Sequence, residues 1–116
     1  LWVMPWMFSP TFMARHADVA QALAQESPYP ATAAGLIAQA AAVMAHDALP
    51  RLGQVAAPTL VLSGAEDILT PAAGAQVLAD AIPGAHLHIL ERGAHVADAE
   101  YPDAVSAAML AFLLGE

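Results

Sequence analysis

The sequence predicts an α/β chain, with a helical first half followed by a β-α-β-α unit that contains two parallel strands. Three observations carry this. Composition shifts near Pro50 to Pro58, and before that point the patterning is helical throughout. Thr59-Leu60-Val61-Leu62-Ser63 is a short unbroken apolar run between Pro58 and Gly64, as expected of a strand buried on both faces. Pro83-Gly84 then divides a helical stretch from a second strand, Ala85 to Leu90, so the order is strand, helix, strand.

Taken in order, Leu1 to Phe12 reads as loop or short helix, and a helix follows over about Ala17 to Gln25. Ser27-Pro28-Tyr29-Pro30 breaks it, because proline lacks the N–H and clashes with the preceding turn. Thr32 is placed to cap the next helix, which runs to about His46. Leu36, Ile37, Ala40, Ala41 and Met44 recur on it at the spacing of a buried face. After the first strand, Thr70-Pro71 reads as N-cap and first helical residue. That helix runs to about Ile82, with Ala75, Leu78, Ala81 and Ile82 on one side. Gly93-Ala94-His95 opens a loop, and Pro102 starts a last helix whose apolar face is Val105, Met109, Phe112 and Leu113. The two strands should be parallel with a right-handed crossover. Two such strands are not a stable sheet alone, and Thr59–Ser63 offers no polar face to water, so an outer neighbour is expected outside these residues. The opening at Leu1, inside an apolar Trp-rich segment, predicts the same: a piece of a longer chain.

Composition narrows the function classes. The chain has 116 residues, Lys+Arg 3 against Asp+Glu 11, a net charge of −8, and 59% hydrophobic residues. One domain with a real core fits this length, and disorder does not fit this hydrophobicity. Without cysteine there is no disulfide framework or Cys-based zinc module. Three scattered cations, Arg15, Arg51 and Arg92, build no basic patch, which argues against nucleic acid and against an anionic membrane surface. No apolar stretch reaches membrane-span length, and Leu1 to Phe8 lacks the flanks of a signal peptide. A soluble, cytoplasmic protein is expected.

In open α/β sheets ligands bind beyond the carboxyl ends of the strands. Asp67 follows the first strand and His95 the second, so adjacent parallel strands bring their loops side by side. A carboxylate next to a histidine fixes its tautomer and stabilises the imidazolium, as general-base catalysis requires. The plainer alternatives are a turn or helix-start acid for Asp67 and a surface-loop histidine for His95. Glu66 reads as a solvated neighbour. Glu100 reads as a partner for backbone N–H groups at the start of the last helix. Asp47 and Arg51 read as a local cap or surface pair. His86 and His88 share one strand face and, with His95 and Asp98, could offer metal ligands, but a polar outer face explains them better. Trp2, Trp6, Phe8 and Phe12 either pack a lid or line an apolar substrate pocket.

The run Ala57-Pro58-Thr59-Leu60-Val61-Leu62-Ser63-Gly64-x-x-Asp67, followed by Thr70-Pro71, Ile82-Pro83-Gly84-Ala85, Gly93-Ala94-His95, Glu100-x-Pro102 and Phe112-Leu113, resembles the C-terminal part of an α/β-hydrolase. It is most similar to the capped esterase, lactonase and haloperoxidase-like branch that includes the 3-oxoadipate enol-lactonases. The resemblance implies that residues 1–55 are part of a helical lid and return segment, and 56–116 the C-terminal β-α-β-α of the core. It implies Asp67 as triad acid and His95 as triad histidine, in the family's order of nucleophile, acid, histidine. It implies no cofactor. The sequence departs from the family in holding no G-x-S-x-G and no oxyanion-hole segment, and in setting Gly93 and His95 one residue further apart than the common Gly-His pair. The expected function is therefore the triad acid and base of a serine-type hydrolase acting on an ester, lactone or related carbonyl with an apolar moiety. The nucleophile would come from a missing N-terminal half, and the chain alone would be inactive. A non-catalytic binding module, a split-enzyme partner, and a haloperoxidase- or dehalogenase-like member are the alternatives.

Overall fold

The computed structural model describes residues 4–23 and 31–115. Its sheet is the unit the sequence predicts, moved by one residue. Strand β1 spans Leu60–Gly64 and strand β2 spans His86–Leu90. They pair in parallel from Leu60 opposite His86 to Gly64 opposite Leu90. Among the described residues these are the only two strands, so one edge of β1 has no neighbour.

Helix α5, Ala72–Ala81, connects the strands, and α7, Pro102–Leu114, follows β2. Leu90, Ala97 and Val105 form the buried centre with Leu62 packed against it, and Ala75 on α5 and Ile82 just past its end are buried. The apolar stripes of both helices extend beyond what is covered. Leu78, Met109 and Leu113 remain exposed. They border two open apolar grooves that run along β1: one of about 500 Å³ beside α5, one of about 360 Å³ beside α7.

The first half is helical, as expected, in four segments: α1 Met4–Met7, α2 Pro10–Arg15, α3 Ala17–Leu23 and α4 Ala33–Ala45. Thr32 caps α4 through its hydroxyl, which accepts from the Gly35 N–H at 3.0 Å. The expected buried face of α4 is not buried. Ile37 is 70% and Met44 86% exposed, because no described residue packs over them. Two short elements escape the sequence patterning: a 3₁₀ turn at Leu49–Gln54 and helix α6 at Ala97–Glu100. Asp47 caps the 3₁₀ turn by accepting from the Leu49 N–H at 3.1 Å, and Arg51 reaches the Asp47 backbone carbonyl rather than its carboxylate. No helix among the described residues is long and apolar enough to cross a membrane.

Candidate active site

The loops beyond the two strands are stitched together before any side chain is considered. The Ala65 N–H donates to the Leu90 carbonyl and the Glu66 N–H to the Gly93 carbonyl, both at 3.0 Å. This approach depends on glycine. A Cβ on Gly64 would run into the Gly93 carbonyl, and Gly93 itself sits at φ 107°, which side-chain-bearing residues rarely adopt. Across the same seam the Arg92 guanidinium pairs with Glu66 at 2.9 Å. Glu66, expected to be solvated, is therefore part of the seam.

The Asp67 N–H donates back to the Gly64 carbonyl and turns the chain so that the carboxylate points into the site. Asp67 is only 8% exposed. Its Oδ1 accepts the Leu69 and Thr70 N–H groups at 2.8 and 2.9 Å. Its Oδ2 accepts the Thr70 hydroxyl at 2.7 Å and lies 3.1 Å from His95 Nδ1. Burial pushes the carboxyl's pKa up. The Thr70 N–H and hydroxyl, the His95 ring and the Leu69 N–H together outweigh that, so the group is held below the ordinary value of 3.8. His95 Nδ1 faces Asp67, which leaves Nε2 as the ring atom free to meet another molecule. The two residues line a cavity of about 180 Å³ with Gly64, Thr70, Asp98 and Val105.

A second set of bonds fixes the His95 loop from the other side. Ser9, 1% exposed, gives its N–H to Glu100 Oε1 at 2.7 Å and its hydroxyl to Oε2 at 2.6 Å. Glu100 Oε1 also lies 3.4 Å from the N–H of Ala94, the residue before His95. The Val96 N–H donates to the Met7 carbonyl, and Arg92 reaches the Thr11 hydroxyl at 2.9 Å. Glu100 thus holds the N-terminal segment and the His95 loop, not the start of α7 as expected from sequence. Nothing in the local sequence signals a partner 91 positions away.

The remaining candidates are dispersed. Trp2 lies outside the described residues. Trp6, Phe8 and Phe12 do not line the cavity around His95: Phe8 is buried and stacks on Phe12 with centroids 5.0 Å apart, and Trp6 is 51% exposed. His86 and His88 are exposed on β2, and His86 meets the Phe112 ring edge-on at 5.6 Å. Among the described residues no three His, Asp or Glu side chains converge as a metal site would need.

Comparison with known proteins gives a consistent picture. The family model described as TAP-like protein matches residues 32–115. A 2-hydroxy-6-oxo-6-phenylhexa-2,4-dienoate hydrolase of Burkholderia cepacia is 38% identical over 67% of this chain and 27% of its own length. A 3-oxoadipate enol-lactonase of Acinetobacter baylyi is 28% identical over 91% of this chain and 39% of its own. Among solved structures, the enol-lactonase from Burkholderia xenovorans LB400 superposes with a TM-score of 0.83 at 28% identity, covering 97% of this chain and 42% of that one. The chain thus spans less than half the length of the relatives it matches.

Proposed function

The chain belongs to the TAP-like family of α/β-hydrolases, and on that premise we propose that Asp67 and His95 are the acid and base of a serine-type triad that hydrolyses an ester, lactone or related carbonyl. The nucleophile comes from outside these 116 residues, since no G-x-S-x-G occurs within them. The observation that carries the reading is the 3.1 Å contact between His95 Nδ1 and a buried Asp67 carboxylate that four donors keep ionised.

The chemistry follows from that contact. Asp67 holds the proton on Nδ1, so Nε2 presents a lone pair. Nε2 takes the proton of the attacking hydroxyl as its oxygen bonds to the substrate carbonyl carbon. The imidazolium so formed is stabilised by Asp67 and then gives its proton to the departing oxygen. Water repeats the sequence on the acyl-enzyme, with Nε2 again the base, and releases the acid. Named hydrolases among the relatives, one for a dienoate and one for an enol-lactone, support hydrolysis at a carbonyl as the class of reaction.

The test is kinetic. In the intact protein, His95→Ala lowers kcat for a nitrophenyl ester by roughly a thousandfold or more. The 116-residue chain by itself turns over none. Undiminished turnover in His95→Ala, or turnover by the isolated chain that His95→Ala abolishes, would overturn the corresponding half of this assignment.

A further inference from the structure

We propose that Thr70 is a positioning residue of the Asp67–His95 pair: its hydroxyl donates to the carboxylate and accepts the Nδ1–H, and so fixes which ring nitrogen carries the proton. The proposal rests on the reading of that pair as acid and base. Three atoms form a closed triangle. Thr70 Oγ1 lies 2.7 Å from Asp67 Oδ2 and 3.2 Å from His95 Nδ1, and Nδ1 lies 3.1 Å from Oδ2.

A hydroxyl has one hydrogen and two lone pairs. The short contact to an ionised oxygen claims the hydrogen, because a charge-assisted bond is the stronger of the two available. The lone pairs are then turned toward the ring. An Nδ1–H meets two acceptors there, Oδ2 and Oγ1. A bare Nδ1 would meet the same two oxygens as a third acceptor, and could be satisfied only if the hydroxyl withdrew its hydrogen from the carboxylate. The triangle therefore selects the Nδ1–H tautomer twice over, and Nε2 is left as the base.

Thr70 is also held in place. Its own N–H donates to Asp67 Oδ1 at 2.9 Å, and Pro71 follows at φ −58°. Thr70, expected from the sequence to cap this helix with Pro71 as its first residue, stands two residues before the start of α5, and Pro71 takes the cap position. Here α5 has no side-chain cap, and the hydroxyl is engaged with the pair instead.

The measurement is the tautomer of neutral His95, read from its ring ¹⁵N shifts in the histidine-labelled protein and assigned by loss of the signal in His95→Gln. The wild type is expected as Nδ1–H. Thr70→Val keeps the shape and removes the hydroxyl, and the ratio of Nδ1–H to Nε2–H falls by roughly two- to tenfold, the weight of one hydrogen bond. Thr70→Ser restores it. Asp67→Asn turns a donor toward Nδ1 and shifts the ring to Nε2–H. If Thr70→Val keeps the wild-type ratio while Asp67→Asn shifts it, the role of Thr70 is refuted and the pair stands. If Asp67→Asn leaves the ratio unchanged, the pair itself fails, and the role of Thr70 with it.

Discussion

Asp67 is nearly inaccessible to water, and an ionised carboxylate in that position is unfavourable unless its lone pairs are met. Four donors meet them. The sign of the pH effect follows. The folded carboxyl titrates below 3.8, so the stability it contributes is fully present above that value and is lost as pH falls through the lower folded one. Asp67→Asn keeps an oxygen for the Leu69 and Thr70 N–H groups but removes the charge. We expect its deficit in urea midpoint against the wild type to shrink as pH falls below 3.8. A deficit independent of pH would show that the charge contributes nothing to folding. In the intact protein the same change is expected to lower kcat by roughly 10⁴-fold, the loss that the wrong histidine tautomer causes in such triads. That Asp67 and His95 would meet was legible in the sequence because each lies just past a predicted strand, and parallel neighbours bring those loops together. Thr70 was legible only as a helix start. The same hydroxyl suits a cap or a carboxylate, and only the fold decides which one it reaches.

At the scale of elements, the His95 loop is held between two partners remote in sequence: the Glu66 seam on one side and the Met7–Thr11 segment on the other. Glu100 is the centre of the second. Removing its carboxylate strands the Ser9 N–H and hydroxyl in a position that water does not reach. A buried donor left unmatched costs about 1–3 kcal/mol. Glu100→Ala is therefore expected to lower stability by about that much, with Glu100→Gln closer to the wild type, since an amide can accept from one Ser9 group and donate to the other. Equal denaturant midpoints for Glu100→Ala and the wild type would show that the bracket bears no load. An unbroken apolar run, the turn residues and helical apolar spacing located β1, β2, α5 and α7 to within a few residues. Helix α6 has four residues and shows no period, so the element that carries Glu100 was invisible.

The whole molecule exposes more surface than a self-contained protein of its size. A compact monomer of 11.9 kDa exposes about 5,900 Å², whereas this chain exposes 8422 Å². Its Cα radius of gyration is 16.5 Å, against about 13 Å for a compact domain of this length. The excess is roughly 2,500 Å², the range of a permanent interface rather than a transient one. It is also placed where the sequence left apolar groups without partners: the stripe of α4, the free edge of β1 and the two grooves beside that edge. From its lack of a polar face the sequence predicted that β1 would lack a neighbour within these residues, and among the described residues one of its edges is unpaired. It misjudged α4 for the same physical reason, since an apolar stripe announces that something covers it without saying that the cover lies in the same stretch of chain. An open strand edge and an uncharged apolar helix both promote association in water. Isolated at micromolar concentration, the 116-residue chain is therefore expected to scatter light as species heavier than 11.9 kDa. Ile37→Glu combined with Met44→Glu should lower that mass without restoring a pure monomer, because the β1 edge remains open. A wild-type chain that stays monomeric would mean that these faces are tolerated by water as they are, and that the excess surface marks no absent partner.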